Sequence, residues 1–416
     1  MEGLVNPAFG QNCRFCGAEL SVSFVDLGMS PLSNSNVPVD KRHQPEVFYP
    51  LHAYVCSNCY LVQVAELESR ENIFSDYRYF SSFSDLWLKH CETYANEMTV
   101  RFGLGGAHQV IEVASNDGYL LQYFKARGIP VFGIEPAENV ARVAESKGIP
   151  SDVAFFGAET AQRLRLKGFA ADLIVANNVL AHVPDINDFV AGFKILLKSA
   201  GLVTFEFPSL HRLIVENQFD TIYHEHFSYL SLLVVERVLE RHGMRAFDVE
   251  SLSTHGGSLR VFACAQQGPH RAAPGLEAQR LLEHNFGLDK MVTYRAFSRK
   301  IVDLKAQVLE FFLSARHEGK RVAGYGAPAK GNTLLNYCGI GPEFLPFTVD
   351  RSPYKQGTLL PGSRIPVMHP DEVMAVRPDY LFILPWNLRS EIVEQMKGIR
   401  EWGGKFVVPI PAIEIF

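Results

Sequence analysis

The sequence predicts an α/β fold in which two parallel-sheet domains follow a small cysteine-containing module. Two Cys-x-x-Cys pairs lie near the N-terminus, apolar runs alternate with helical periods from about residue 76, and a second strand–loop–helix unit begins at Arg321. Continuous apolar strands separated by helices are typical of parallel sheets that are covered on both faces. A chain of 416 residues is long enough for two or three domains.

We predict three units along the chain, at residues 1–75, 76–268 and 269–416. The first is rich in turn-forming residues and too small to be stabilised by a core of its own. The second contains four apolar strand candidates, at 109–113, 131–135, 172–176 and 201–206. The third opens with a long helical region, roughly 278–317, and its strand candidates follow at 321–326, 344–350, 380–385 and 405–409. We expect a Rossmann-like α/β domain in each of the two later units.

The composition is that of an ordinary globular protein, with 47% hydrophobic and 20% charged residues. A net charge of -5 argues against nucleic-acid binding through phosphate neutralisation. No apolar run approaches the ~18 residues of a membrane span, and the N-terminus lacks the pattern of a signal peptide. We therefore predict a cytoplasmic protein with neither a nucleic-acid nor a membrane partner, and we also expect a monomer.

The paired cysteines predict a zinc site. Each pair places two thiolates on one tight turn, and two such turns supply the four sulfur ligands of a closed tetrahedral zinc site. Four sulfur ligands leave no position for a substrate, so the zinc should be structural. The alternatives are four unrelated cysteines, or His43 or His52 as a substitute ligand. The predicted ligands are Cys13, Cys16, Cys56 and Cys59.

A loop after the first strand of the second unit is a candidate cofactor site, because ligands of open α/β sheets bind at the carboxyl ends of strands. A dinucleotide requires G-x-G-x-x-G there, whereas this loop has one glycine and the acidic Asp117. S-adenosylmethionine has no phosphate and carries positive charge, so an acidic, polar loop suits it better. Glu135, which ends the next strand, can accept hydrogen bonds from ribose hydroxyls of either cofactor.

These features resemble class I methyltransferases, whose first motif is E/D-x-G-x-G-x-G. The sequence departs from that motif, because Ala114 and Asn116 stand at two of the glycine positions and only Gly118 is a glycine. The predicted S-adenosylmethionine site comprises Glu112, Ala114, Ser115, Asn116, Gly118, Tyr119, Leu120, Glu135, Pro136, Asn177 and Asn178.

The segment Tyr223-His224-Glu225-His226 places a phenol, a carboxylate and two imidazoles in four residues. A histidine can remove a proton next to a carbonyl, a glutamate can orient that histidine, and a tyrosine can donate to the resulting enolate oxygen. The alternatives are metal chelation by His-x-His and an aromatic loop with incidental histidines.

The order of the motifs along nearly the whole chain is similar to that of dTDP-sugar C-3 methyltransferases from antibiotic deoxysugar pathways. The motifs are the cysteine pairs, Glu-Val-Ala-Ser-Asn-Asp-Gly, Tyr-His-Glu-His and Gly-Tyr-Gly-Ala-Pro-Ala-Lys-Gly. The resemblance implies that methyl transfer from S-adenosylmethionine to C-3 of a dTDP-linked 4-keto-6-deoxysugar follows removal of the C-3 proton. It also implies that His226 is the base, that Tyr223 and Glu225 assist, that His182 faces the reacting centre and that Tyr77 closes over the site.

The resemblance also implies that the third unit contributes to binding of the sugar nucleotide. Its motif 324–332 follows a strand and precedes a helix, and Ala329 stands at the third glycine position of G-x-G-x-x-G. Amides at the helix N-terminus and Lys330 could hold a diphosphate. The predicted substrate residues are Tyr79, His255, Arg260, Lys330, Asn332, Asp350, Ser352 and Lys355. Two alternative functions stay open at this point. One is an NAD-dependent sugar-nucleotide oxidoreductase, and the other is a zinc-ribbon interaction protein.

Overall fold

The computed structural model describes residues 12–68, 81–83 and 85–416, and three β-sheets of four, seven and eight strands lie within them. The strands are β1 Val22–Ser30, β2 Val37–Pro38, β3 Tyr49–Val55, β4 Val62–Val64, β5 Val110–Val113, β6 Val131–Ile134, β7 Ser151–Asp152, β8 Ala171–Asn177, β9 Leu197–Pro208, β10 Ser228–Tyr229, β11 Met244–Leu252, β12 Ser258–Ala265, β13 Val322–Tyr325, β14 Thr348–Val349, β15 Thr358–Leu359, β16 Pro366–Met368, β17 Tyr380–Ile383, β18 Lys405–Val408 and β19 Glu414–Ile415.

The α-helices of the described residues lie mainly between the strands of the two larger sheets. They are α1 Asp85–Phe102, α2 Leu121–Lys125, α3 Glu138–Ser146, α4 Ala158–Leu166, α5 Ile186–Leu196, α6 Leu210–Val215, α7 Leu232–Arg241, α8 Pro274–Phe286, α9 Met291–His317, α10 Ala329–Cys338, α11 Asp371–Val376 and α12 Arg389–Gln395. None of the helices in the described ranges combines the length and the apolar character needed to cross a bilayer.

The seven-stranded sheet has the order β11-β12-β9-β8-β5-β6-β7. Strands β5 to β9 run parallel to one another, whereas β12 is antiparallel to β9 and β11 is antiparallel to β12. The four strands predicted for this unit are β5, β6, β8 and β9. The sequence analysis did not predict β7, β11 and β12. This parallel sheet with an antiparallel edge confirms the α/β prediction and brings the ends of β5, β6 and β8 together.

The eight-stranded sheet has five central parallel strands in the order β16-β14-β13-β17-β18. The chain continues from β13 to β14 on one side and from β17 to β18 on the other, which opens a crevice between the ends of the adjacent strands β13 and β17. The predicted helical region at 278–317 is two helices, α8 and α9. The first ends at Gly287, whose φ of 88° is the left-handed conformation that terminates helices.

The N-terminal module is built into both larger units. Its own strands β1, β3 and β4 are completed by β10, and its strand β2 pairs with β15 of the eight-stranded sheet. Phe24 of β1 is fully buried and stacks on Phe297 of α9 at a centroid distance of 4.5 Å. The module therefore shares its core with the third unit, which explains how so few residues are held in a fixed structure.

Candidate active site

A cavity of about 950 Å³ lies between the two large sheets. One wall is formed by the loops after β5, β6 and β8, the second by α1, and the third by the loops after β13 and β17. Each sheet therefore contributes the carboxyl ends of its parallel strands, where open α/β sheets bind their ligands.

The predicted site residues fall into three groups. Those that line the cavity are Ala114, Asn116, Tyr119, Glu135, Pro136, Asn177, Asn178, His182, His255 and Lys330. Those that lie outside the lining are Glu112, Ser115, Gly118, Leu120, Tyr223, Glu225, His226, Arg260, Asn332, Asp350, Ser352 and Lys355. Tyr77 and Tyr79 lie outside the described residues.

The loop after β5 has the backbone of a glycine-rich turn. Ala114, Asn116 and Gly118 have φ values of 56°, 48° and 77°, all in the left-handed region. These are the three glycine positions of the motif. Asn tolerates this conformation better than other residues with a side chain, whereas Ala adopts it at a cost. The loop therefore keeps the turn although only one glycine remains.

Glu135 is fixed at the cavity wall by backbone amides. One carboxylate oxygen accepts a 2.8 Å hydrogen bond from Asn116 N–H, and the other a 2.9 Å bond from Ala137 N–H. Burial nevertheless raises the pKa of its carboxyl. Each oxygen keeps a second lone pair, so the side chain can still accept bonds from two hydroxyl groups of a ligand.

The donor-site residues outside the lining support the loop from behind. Glu112 is fully buried, and burial raises the pKa of its carboxyl well above the usual value. Ser115 and Leu120 are also fully buried. A Cβ atom on Gly118 would lie 2.4 Å from Ile149 Cδ1, so a side chain at this position would require the buried Ile149 to move.

Two histidines and a tyrosine are in contact beside the cavity. His226 Nε2 accepts a 2.7 Å hydrogen bond from the Tyr223 hydroxyl, while its Nδ1–H donates to Thr221 O at 2.9 Å. The Nδ1–H of His182 donates to the backbone oxygen of Glu225 at 2.8 Å. The two imidazole rings meet edge to face, with centroids 4.6 Å apart, and His182 is the one that lines the cavity.

Both imidazoles are neutral in this arrangement. Desolvation lowers the pKa of His182 to about 4. Desolvation and the neighbouring His182 hold the pKa of His226 well below its usual value. A donor Nδ1–H on each ring leaves Nε2 with its lone pair, which is the form that accepts a proton.

Lys330 brings a positive charge from α10 into the cavity. Its Nζ donates to Asn387 Oδ1 at 2.9 Å and lies 4.6 Å from the centroid of the Trp386 ring. Trp386 Nε1–H in turn donates to the buried Asp220 at 2.7 Å. Desolvation lowers the pKa of the Lys330 ammonium, and nearby Asp220 opposes this effect.

Most of the other predicted substrate residues have partners within the protein. Arg260 is buried and pairs with Glu206, 2.6 Å away. Asn332 donates to Ser33 O at 2.7 Å. The remaining three shape the loop after β13: Asp350 accepts from Ala327 N–H at 2.8 Å and Ser352 N–H at 2.8 Å, and Lys355 donates to Ala327 O at 2.7 Å.

Several cavity residues were not predicted from the sequence. Trp87 and His90 project from α1, with ring centroids 4.9 Å apart, and His90 lies 3.0 Å from Glu206. Their spacing of three residues on a helix was the signal that they share a face. Phe155, Phe156 and Asn387 also line the cavity. The two phenylalanines follow the short strand β7, which the sequence analysis did not predict, and Asn387 follows the predicted strand β17.

Three family models match successive parts of the chain. They are described as “Putative zinc binding domain” at residues 13–74, “Methyltransferase domain” at 87–249 and “C-methyltransferase C-terminal domain” at 253–411. The C-methyltransferase NovU of Streptomyces niveus is 36% identical over 411 residues, which are 99% of this chain and 97% of that protein. The chain belongs to the C-methyltransferase family.

Membership of the C-methyltransferase family confirms the class I methyltransferase fold with its N-terminal zinc-binding module, and S-adenosylmethionine and zinc as cofactors. It decides against the NAD-dependent oxidoreductase and the zinc-ribbon interaction protein. A ubiquinone biosynthesis O-methyltransferase of Bartonella quintana is 28% identical over 96 residues, 23% of this chain and 39% of that protein. The magnesium protoporphyrin IX methyltransferase (ChlM) of Synechocystis PCC 6803, solved with bound SAM, is 15% identical with a TM-score of 0.34, and the match covers 46% of this chain and 88% of that chain.

The four predicted zinc ligands lie close enough together to bind one ion. All four sulfur atoms lie within 4.8 Å of one another, with Cys13 Sγ 3.5 Å from Cys59 Sγ and Cys16 Sγ 3.5 Å from Cys56 Sγ. Zinc–sulfur bonds of about 2.3 Å in a tetrahedron separate the sulfurs by about 3.8 Å, so the cluster fits one ion. His52 bonds to Ser23 instead, at 2.8 Å.

The donor side of the cavity also fits S-adenosylmethionine. Both polar atoms of the Asn177 carboxamide are buried and have no hydrogen-bond partner among the described residues, although this residue lines the cavity. A buried amide without partners is costly, so these atoms are available to a polar ligand or to water in the cavity. The amino and carboxylate groups of the methyl donor supply such partners, and Glu135 suits its ribose hydroxyls.

Proposed function

We propose that the chain methylates C-3 of a dTDP-linked 4-keto-6-deoxysugar, using a base to remove the C-3 proton first. The observation that carries this proposal is the contact between two neutral imidazoles and a phenol beside the methyl-donor cavity. Such a cluster suits proton abstraction next to a carbonyl, which methylation of a carbon adjacent to a ketone requires and O-methylation does not.

The reaction follows from the chemistry of the acceptor. The 4-keto group makes the C-3 proton acidic, because the electron pair of the broken C–H bond can move onto the ketone oxygen as an enolate. S-adenosylmethionine, when bound, supplies an electrophilic methyl group. The enolate carbon forms the new C–C bond to that methyl group as the methyl–sulfur bond breaks, and the thioether S-adenosylhomocysteine leaves with the electron pair of that bond. The proton remains on the protein until it is released to water.

His226 is the proposed base. Its Nε2 lone pair points to the Tyr223 hydroxyl, and its Nδ1–H is held by Thr221 O, so the ring is fixed in the accepting tautomer. For His226 to act as the base, the Tyr223 hydroxyl must leave its hydrogen bond to Nε2 so that the C-3 proton can take its place. Alternatively, the hydroxyl oxygen accepts the C-3 proton while its own proton moves to Nε2. His182 lines the cavity in contact with His226, and we propose that it faces the reacting centre.

Lys330 and His255 are the proposed contacts to the acceptor within the cavity. An ammonium group suits the negative charge of a nucleotide diphosphate. Arg260, Asn332, Asp350, Ser352 and Lys355 are proposed to hold the surrounding loops through the contacts described above. Tyr77 and Tyr79 remain proposals based on the family resemblance.

Product analysis with a panel of dTDP-4-keto sugars tests this proposal. We expect a gain of one methyl group at C-3 by mass spectrometry and NMR. The base is tested by exchange of the C-3 proton in deuterated water, with S-adenosylhomocysteine in the donor site. His226→Asn should reduce exchange and kcat by about 10²–10⁴-fold while donor affinity stays unchanged. Tyr223→Phe should be milder if the phenol only donates a hydrogen bond.

Exchange at the wild-type rate in His226→Asn would contradict this assignment and make His182 the next candidate. Absence of both exchange and methylation in the wild-type protein, across the whole panel, would contradict the proposed acceptor class.

A further inference from the structure

The carboxylate of Glu225 does not face the neighbouring His226. Both of its oxygens lie 2.8 Å from Nδ2 of Asn34, a residue of the N-terminal module. Glu225 is 6% exposed, whereas Asn34 itself is exposed. An amide from the zinc-binding module therefore covers a buried carboxylate in the middle of the Tyr-His-Glu-His segment.

Further contacts fasten the same segment to the same module. Thr333 Oγ1 donates to Ile222 O at 3.0 Å and lies 3.5 Å from Ser33 Oγ, so the residue before Asn34 touches the start of the segment through α10. His224 lies 3.2 Å from Pro50 O of β3, and β10, directly after the segment, pairs with β4. The module thus holds both ends of the segment, and Asn34 holds its centre.

The backbone of Glu225 connects Asn34 to the imidazoles. Its carbonyl oxygen accepts the Nδ1–H of His182, and the next residue is His226. A displaced Glu225 side chain would move this carbonyl, and with it the orientation of both rings. Burial raises the pKa of Glu225, while the Asn34 hydrogen bonds and the charge of Lys355 oppose this rise. Asn34 therefore also favours the ionised carboxylate, which can only accept hydrogen bonds.

We propose that Asn34 is a positioning residue for C-methylation: it holds the Glu225 carboxylate, and thereby fixes the carbonyl that orients His182 and the backbone that carries His226. This inference rests on the proposed function, because it assumes that the two imidazoles act on the acceptor. It assigns the zinc-binding module a part in the reaction geometry in addition to its structural role.

Asn34→Ala tests the inference, and Asn36→Ala is the matched control. Asn36 belongs to the same loop and donates to Thr358 Oγ1 at 3.0 Å, outside the Tyr-His-Glu-His segment. Because Asn34 is exposed, its truncation leaves no core cavity, and melting temperature and zinc content should match the control. We expect Asn34→Ala to lower kcat and C-3 proton exchange by up to about 100-fold with little change in KM, since a small misplacement of catalytic groups can cost this much.

A double-mutant cycle with Glu225→Gln gives a readout that a general structural role would not change. Glu225→Gln should cost much less in the Asn34→Ala background than in the wild type, because the two residues act through one contact. Asn34→Gln, which keeps the amide donor, should recover part of the activity. Equal kcat for Asn34→Ala and Asn36→Ala would overturn the inference, as would additive effects in the cycle or a change confined to KM. If the wild-type protein neither exchanges nor methylates any sugar, the proposed function itself fails.

Discussion

Glu112 and Glu135, the two acidic residues on the methyl-donor side of the cavity, lie in different environments and therefore differ in what they can bind. Glu112 is sealed behind the loop, where burial raises the pKa of its carboxyl well above the usual value, whereas Glu135 reaches the cavity and accepts two backbone amides. Only the second can act as a hydrogen-bond acceptor toward a ligand. Glu135 is therefore the acidic residue that we expect to bind the ribose of the methyl donor.

Glu135→Ala should weaken binding of S-adenosylmethionine by about 1.5–3 kcal/mol, the usual range for hydrogen bonds to a charged group. Isothermal titration calorimetry measures this loss directly. Glu138→Ala is the control, because that side chain is 63% exposed and pairs with Arg142 on the surface of α3. Donor binding of equal strength in the Glu135→Ala and wild-type proteins would rule out the ribose contact.

Individual site residues could be predicted from the sequence where local pattern determines their place. Glu135 directly follows β6 and Asn177 ends β8, and strand ends of a parallel sheet converge. Arg260 could not be placed in this way, because its partner Glu206 is 54 positions away on an adjacent antiparallel strand. The direction of the Glu225 side chain depends equally on a distant partner, Asn34.

At the scale of single elements, the loop after β5 reproduces a glycine-rich turn with a single glycine. The left-handed conformations of Ala114 and Asn116 are imposed by the strand before them and the helix after them. The periodicity of the sequence predicted that strand and helix, but it could not predict whether non-glycine residues would adopt the turn. In the third unit, Gly287 divides the predicted helical region, and a single left-handed residue is invisible to hydrophobic periodicity.

Gly118→Ala should destabilise the loop by about 1–3 kcal/mol, because the new Cβ would meet Ile149 at 2.4 Å and Ala144 at 3.3 Å. Gly128→Ala is a matched control, since Gly128 has a similar φ of 72° but no atom within 4 Å of the added Cβ. The difference between the two variants in chemical denaturation isolates the steric contribution. Equal losses of stability would mean that backbone strain alone requires glycine at position 118.

At the scale of the whole molecule, the three sheets are interlocked by very short strands. The two-residue strand β10 joins the sheet of the N-terminal module, and the two-residue strand β2 of that module joins the eight-stranded sheet. Pairings between such short and distant segments carry no periodic signal, so the sequence could not predict these connections. These connections imply that loss of the zinc ion would displace the segment that carries the imidazoles.

Zinc analysis should find close to one ion per chain, and Cys13→Ser or Cys56→Ser should lose both the metal and solubility. We further expect chelation to abolish methylation, because loss of the metal frees β4 and with it the β10 end of the Tyr-His-Glu-His segment. Cys338→Ala, in the third unit, should keep its zinc and provides the control. Complete removal of zinc with unchanged melting and activity would contradict a structural role.

Asp220 links the second and third units, and its burial makes the stability of the whole protein depend on pH. Its carboxylate accepts from Trp386 Nε1–H, and one oxygen has no hydrogen-bond partner among the described residues. Burial raises the pKa of Asp220 from 3.8 to about 6, against the opposing charge of Lys330. Between these two values the folded protein binds more protons than the unfolded chain, so stability falls as pH rises through this window.

Asp220→Asn should remove this dependence, because an amide keeps an acceptor for Trp386 and does not ionise. The free energy of unfolding of Asp220→Asn relative to wild type should therefore increase by about 2 kcal/mol between pH 4 and pH 6 and level off above about pH 7. Urea denaturation across this range measures the difference, and Asp371→Asn, at a side chain that is 90% exposed, serves as the control. A difference that does not change with pH would mean that Lys330 fully compensates the buried charge, and that the carboxylate stays ionised throughout the range.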